Sequence, residues 1–113
     1  MRGEVWWIRL DPTAGSELQK CRPCVIIGIE SIGRSSMQII APITTWKEAY
    51  EQRPQLIELQ PTSENGLANR SVAAADQVRA IDITRCESKA GSITADELDE
   101  IVAAVALCIG FEP

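Results

Sequence analysis

The amino-acid sequence predicts a small, mainly β domain of the α+β class, and three observations carry that expectation. Short runs rich in β-branched and aromatic residues recur between clusters of turn residues. One amphipathic stretch with helix-start and helix-stop signals closes the chain. No helical pattern alternates with the strand candidates, so the βαβ arrangement of a parallel sheet is not expected. Five or six short strands and one terminal helix describe a small curled sheet or barrel with the helix packed on it.

The first strand candidate is 5–10, Val-Trp-Trp-Ile-Arg-Leu, broken by Asp11-Pro12 and a polar loop that runs through Glu17 and Lys20. Pro23 permits an extended entry to a second strand at 24–29, and 30–36, with Gly33, reads as a turn. A mostly apolar third strand follows at 37–43, where Pro42 fits an edge or a strand exit. The charged stretch 44–54 is ambiguous and has room for one helical turn. Alternation of polar and apolar residues at 55–59 suggests a half-buried strand, and Asn65-Gly66 is a strong turn signal. Two further short candidates lie at 71–75 and 78–83, divided at Asp76-Gln77. Near the end, Thr94 and Glu97 form a capping box. Leu98, Ile101, Val102, Val105 and Ile109 then share one helical face, and Gly110 stands where a helix C-terminus favours glycine.

With 113 residues, 45% hydrophobic and 24% charged, the chain is expected to form a single domain over 1–113 that gains stability by self-association. Its longest apolar run, 101–111, falls far short of the ~20 residues that span a bilayer. The N-terminus lacks the apolar stretch of a signal peptide, so a cytoplasmic location is expected. In that compartment Cys21, Cys24, Cys86 and Cys108 are expected as free thiols. Cys21 and Cys24 are three apart on a strand and face opposite sides, which opposes a shared metal. The net charge of −5 argues against a nucleic-acid partner, but its distribution weakens the objection. Five acids lie beyond Lys89, the last basic residue, so 1–89 carries eleven basic and eleven acidic side chains and leaves room for a local basic patch.

The chain contains no histidine. That removes the usual acid–base pair of ribonucleases, every Ser-His-Asp triad and the common zinc-hydrolase ligand sets.

Five segments, in order, resemble the MazF/PemK/Kid toxin family: Arg2-Gly3-Glu4-Val5-Trp6-Trp7-Ile8-Arg9-Leu10-Asp11-Pro12-Thr13, Gly15-Ser16-Glu17, Lys20-Cys21-Arg22-Pro23, Ala41-Pro42-Ile43-Thr44 and Asp76-Gln77-Val78-Arg79-Ala80-Ile81-Asp82. The resemblance spans nearly the whole chain. It implies an SH3-like β-barrel with the C-terminal helix packed on the sheet, acting as a homodimer. The activity it implies is sequence-selective cleavage of single-stranded RNA without metal or other cofactor. It also implies a cognate antitoxin whose disordered C-terminal segment covers the RNA groove.

Within that resemblance Arg22 occupies the family's Arg-Pro step, and its guanidinium fork matches two phosphate oxygens. Thr44 ends the Pro-Ile-Thr segment, with a hydroxyl able to donate to a non-bridging oxygen. Asp76 matches an acid that one branch uses as a base, with Glu17 its rival. Gln77 and Arg79 are candidates for contact with a base edge or phosphate, and Glu17 and Lys20 for RNA contact from the first loop. The adjacent Trp6 and Trp7 offer rings on which unpaired bases can stack, but packing is the favoured role, since at most one of the two faces the core. The chain departs from the family at Cys21, where many relatives carry threonine, and at Ala74, where one branch carries a second catalytic arginine. The alternative function is a non-catalytic binder on the same fold, either a gyrase poison of the CcdB type or a homologue that only binds an antitoxin. The Arg22 and Thr44 pair favours the nuclease.

Overall fold

The computed structural model describes residues 1–30 and 35–111, and among the described residues it holds seven strands and one α-helix. The strands are β1 (Glu4–Arg9), β2 (Cys21–Ile26), β3 (Met37–Thr45), β4 (Leu56–Leu59), β5 (Ser71–Ala74), β6 (Arg79–Asp82) and β7 (Cys86–Ser92), and the helix is α1 (Ala95–Cys108). Most of the turn expected at 30–36 lies outside the described residues. Short 3-10 turns stand at Glu48–Tyr50, Ala75–Gln77 and Ile83–Arg85.

The strand pairings among the described residues are all antiparallel, in the order β4-β5-β3-β2-β1-β7, with β6 also on β3. The expected SH3-like barrel is corrected here: the sheet is open, because its end strands β4 and β7 do not pair. The loop at 60–70 fills the place where a closing ladder would run. Ser92 N–H donates to Glu64 O at 2.8 Å, and the two backbones approach so closely that a Cβ on Gly66 would strike the Ala90 carbonyl and one on Gly91 the Glu64 carbonyl. Gly66 also sits at φ +70°, so the Asn65-Gly66 turn serves a close crossing of backbones as well as a change of direction.

Both faces of the sheet are apolar at its centre. Val5, Val25, Ala41, Ile43 and Leu59 pack with Leu98 and Ile101 of α1 on one face. Ile8, Leu10, Cys24, Ile26, Ile40 and Ile81 pack on the other. The stretches 24–26 of β2 and 39–43 of β3 are therefore continuously apolar, as strand segments buried on both sides are. Pro42 lies inside β3, not at its exit. It is tolerated there because β3 pairs with β6 through Ile40 and with β5 only from Ile43, so no donor is required between them. Pro23 likewise lies within β2, one residue beyond the β2–β3 ladder that starts at Cys24.

The capping box of α1 is present in both directions: Glu97 N–H donates to Thr94 Oγ1 at 3.1 Å and Thr94 N–H to Glu97 Oε1 at 2.9 Å. Leu98, Ile101 and Ala104 are buried, and Val102 and Val105 pack beside them. Burial of each large aliphatic side chain contributes about 1.5–3 kcal/mol. Ile109 leaves the stripe at 74% exposure, because the helix ends at Cys108 and the chain turns at Gly110. The four cysteines are free, with Cys21 exposed and Cys24 buried as their opposite facing requires. Burial, reinforced by Cys21 and Cys86 nearby, pushes the Cys24 thiol up to about 12, which keeps it protonated and unreactive. No helix among the described residues is long and apolar enough to cross a membrane.

Candidate functional site

The site is built where β2 and β3 part. Cys24 faces Pro42 and Ile26 faces Ile40 in their ladder, so continuing the same register sets Arg22 opposite Thr44. The side chains meet there: Arg22 Nη1 donates to Thr44 Oγ1 at 3.3 Å, and Arg22 Nε donates to Gln19 O at 2.9 Å. These bonds hold the half-buried guanidinium at a fixed angle and leave further N–H groups for an anion.

Arg22 and Thr44 line a cleft of ≈ 250 Å³ together with Trp7, Cys21, Thr45 and Asn69. Thr44 also lines a smaller depression of ≈ 120 Å³ with Leu18, Tyr50, Arg53, Asp76 and Gln77. Leu18, Asp76 and Gln77 in turn border a third, of ≈ 320 Å³, with Glu17, Pro42 and Arg79. Because each shares walls with the next, the three form one groove. Arg22, Arg53 and Arg79 line it against Glu17 and Asp76, so the groove carries a local positive excess in a protein of net charge −5.

The remaining sequence candidates fall into different situations. Asp76 stands exposed on the 3-10 turn at Ala75–Gln77 and makes no hydrogen bond among the described residues. The Glu17 carboxylate accepts from Ala14 N–H at 2.7 Å, closing its own loop. Gln77 spends both ends of its amide on that loop: Oε1 accepts from Leu18 N–H at 2.7 Å and Nε2 donates to Ser16 O at 3.3 Å. It is thus placed to hold the loop in position. Arg79 is half-buried and donates from Nη1 to Leu10 O at 3.1 Å. Lys20 lines none of the three depressions. Its backbone, at φ +70°, is tied to Asp11 and Leu10.

Arg53 and Asn69 were not among the sequence candidates for the site, and the groove includes both, together with Trp7, for which the sequence favours packing over stacking on a base. Nothing in the ambiguous stretch at 44–54 marks Arg53. The tryptophan pair divides as strand geometry demands: Trp6 packs on the second core and donates from Nε1 to Glu4 at 2.9 Å, while Trp7 stays 40% exposed. Beside Arg22, burial and the Glu87 carboxylate push the Cys21 thiol up, so it does not act as a thiolate at neutral pH. Among the described residues no cluster of Cys, Asp or Glu is arranged to hold a metal ion.

Comparison with known proteins agrees with the resemblance read from the five segments. The family described as PemK-like, MazF-like toxins of type II toxin–antitoxin systems matches residues 1–109. The endoribonuclease toxin MazF of Escherichia coli K12 is 32% identical over 110 residues, covering 96% of this chain and 92% of its own. Endoribonuclease MazF9 of Mycobacterium tuberculosis is 29% identical, with 94% and 92% covered. The crystal structure of MazF from Deinococcus radiodurans superposes with a TM-score of 0.81 at 23% identity, covering 97% of this chain and 96% of that one. A mycobacterial endoribonuclease solved with its cognate antitoxin gives a TM-score of 0.78 at 18% identity over 100% and 97% of the two chains. The chain belongs to the PemK-like, MazF-like family of toxins of type II toxin–antitoxin systems.

Proposed function

We propose that this toxin is a metal-independent endoribonuclease that cleaves single-stranded RNA by attack of a ribose 2′-OH on the adjacent phosphorus. The observation that carries the reading is the Arg22–Thr44 pair, joined at 3.3 Å in a groove bordered by three arginines. Its membership of a family whose curated relatives are endoribonucleases supports the same reading.

In this mechanism Arg22 binds the non-bridging oxygens of the scissile phosphate and offsets the charge that grows on them in the phosphorane. It remains protonated throughout, since its pKa lies above ~12. The Thr44 hydroxyl donates to one of the same oxygens. Asp76, whose carboxylate engages no partner among the described residues, removes the 2′-OH proton, and Glu17 is its rival on the same stretch of groove. The 2′-oxygen bonds to phosphorus as the bond to the 5′-oxygen breaks, and the departing 5′-oxygen takes a proton from solvent water, giving a 2′,3′-cyclic phosphate and a 5′-OH end. Arg79 and Lys20 supply positive charge toward the flanking backbone. Gln77 acts by placing the 14–18 loop. A cognate antitoxin segment occupying the groove blocks the reaction, in line with the antitoxin-bound relatives. The active species is a homodimer of single-domain protomers in the cytoplasm.

The test is incubation of a long single-stranded RNA with the protein in EDTA, beside Arg22→Ala, with the ends mapped. Cuts at a short recurrent motif, reduced roughly 100- to 1,000-fold in the mutant, are expected. Absence of cutting by folded wild-type protein overturns the reading and turns attention to gyrase and antitoxin binding.

A further inference from the structure

Of the three arginines that line the groove, two are held by the protein and one is not. Arg22 is bonded to Gln19 and Thr44, and Arg79 to Leu10. The exposed Arg53 guanidinium makes no hydrogen bond, ion pair or ring contact among the described residues. Its backbone, in contrast, is fixed. Arg53 N–H donates to Tyr50 O at 3.2 Å and Leu56 N–H to Arg53 O at 3.1 Å, while Pro54 narrows the conformations open to the residue before it. Leu56 faces Ala74 in the β4–β5 ladder and Ala75 N–H donates to Gln55 O at 2.9 Å, so the register, continued, sets Pro54 beside Asp76. The turn thereby delivers Arg53 to the depression of ≈ 120 Å³ that Thr44 and Asp76 also line. Nothing diverts its charge there. No ion pair joins it to Asp76, and Glu58 on its other flank is taken by Arg70 at 2.7 Å.

We infer that Arg53 is a second catalytic arginine, binding the scissile phosphate from the side of Thr44 and Asp76 while Arg22 binds it from the cleft. Thr44 carries the geometry. It lines both the cleft of Arg22 and the depression of Arg53, so a phosphate oxygen on its hydroxyl comes within the field of both guanidiniums. The charge balance gives the second cation its purpose. The diester carries one negative charge and Asp76 another. Once Asp76 has taken the 2′-OH proton and the 2′-oxygen has bonded to phosphorus, Asp76 is neutral and the phosphorane carries two. Negative charge thus moves from the carboxylate to the phosphorus. A guanidinium that is not tied to Asp76 binds the phosphorane more strongly than the diester, and such binding raises kcat without lowering KM. This assignment deepens the proposed RNA cleavage and rests on it.

The test compares the full-length wild type with Arg53→Ala, Arg53→Lys and Arg2→Ala on one single-stranded RNA in EDTA, under single-turnover conditions. Arg2 donates to Ile27 O at the other end of β2 from Arg22, and its loss changes net charge by the same amount. Arg53→Ala is expected to lower the rate at saturating protein roughly 10- to 1,000-fold. Its affinity for the same RNA made 2′-deoxy at the cleaved nucleotide should stay within a few-fold of wild type. Arg53→Lys should recover part of the rate, and methylguanidinium in solution should raise the rate of Arg53→Ala but not that of Arg2→Ala. Should Arg53→Ala melt early, the Arg53→Lys rate and the methylguanidinium rescue decide in its place. A wild-type rate in Arg53→Ala overturns the assignment and leaves RNA cleavage standing. A loss confined to affinity, with the rate at saturation kept, overturns it too, as does an equal loss in Arg2→Ala. If wild type binds the 2′-deoxy RNA but cuts no RNA, the cleavage reading falls and the assignment with it.

Discussion

The loop at 11–20 and the loop at 60–70 border the same groove but are held in different ways. The first has exposed bonds of its own, Ala14 N–H to Glu17 and Lys20 N–H to Asp11, and is also tied to residues outside it. Gln77 grips Ser16 and Leu18, Arg22 grips Gln19, and Arg85 donates to Asp11 O. The second is knotted on itself. Asn65, buried at 1% exposure, accepts from Thr62 N–H and Leu67 N–H and donates to Gln60 O, while Thr62 Oγ1 accepts from Asn65 N–H. The contrast teaches that one wall of the groove is pinned by a buried asparagine of its own, while the other, exposed in its own bonds, takes part of its shape from Gln77 and Arg22. The first loop is therefore the more easily reshaped wall of the groove, and the second is the fixed one.

The largest effect should come from pushing the fixed wall away from β7. Gly66→Ala places a Cβ into the Ala90 carbonyl at a backbone φ of +70°. The neighbour is backbone and has no rotamer by which to give way, so a loss of more than about 3 kcal/mol is expected. In thermal unfolding this is a fall of roughly 10 °C or more. A melt within a few degrees of wild type would show that 60–70 lies loosely on β7 and is no fixed wall.

How much of this was legible in the sequence depends on how local each determinant is. Helix α1 was legible because its start signal, Thr94 with Glu97, and its apolar stripe lie within a few residues of one another. Strands β1, β3, β4, β5 and β6 were legible from β-branched residues between turn signals, with ends displaced by one or two positions. Strand β7 was missed, because Cys-Glu-Ser-Lys-Ala-Gly-Ser has weak strand character and becomes a strand only by pairing with β1. Barrel closure was wrongly expected for a related reason: strand runs do not reveal that Gly66 and Gly91 let a loop lie where a ladder would close. At the site, Arg22 and Thr44 were singled out through the family's motifs. Their contact is fixed by the β2–β3 register, which no local pattern encodes. The amide of Gln77, a candidate for RNA contact in the sequence, is bonded to a loop some sixty residues earlier in the chain, which no local pattern encodes.

Asn65→Ala breaks the same wall from within, with a smaller expected cost. It removes three side-chain hydrogen bonds and leaves the buried Leu67 N–H without its partner. At roughly 1 kcal/mol per bond the loss is about 2–3 kcal/mol, read as a shift in the urea midpoint. Gln77→Ala should cost less, under about 1.5 kcal/mol, because it makes two bonds, one exposed and one only part-buried. Its signature lies elsewhere: amide exchange at Leu18 should accelerate, and RNA cleavage should fall while global stability barely moves. If Gln77→Ala instead destabilised the protein as much as Asn65→Ala, the two loops would not differ in the way described.

The smallest expected effect concerns pH. On the β1–β7 edge the Glu4 carboxyl is held below its usual 4.5, first by the Trp6 indole N–H and then also by Lys89, whose ammonium lies 3.0 Å from it. A carboxyl with a lowered folded pKa contributes stability that is complete above its unfolded value and is lost as pH falls through its folded value. The stability gap between wild type and Glu4→Gln should therefore be open near pH 7 and shrink as the pH is taken below about 4. The Asn65 knot contains only neutral amide, hydroxyl and backbone groups, so the gap between wild type and Asn65→Ala should stay constant over the same range. Chemical unfolding of the three proteins at several pH values measures both gaps together. A Glu4→Gln gap that does not change with pH would show that the ionised carboxylate contributes nothing to β1–β7 pairing. An Asn65→Ala gap that closes in acid would show that a titrating group, absent from the knot itself, supports the fixed wall of the groove.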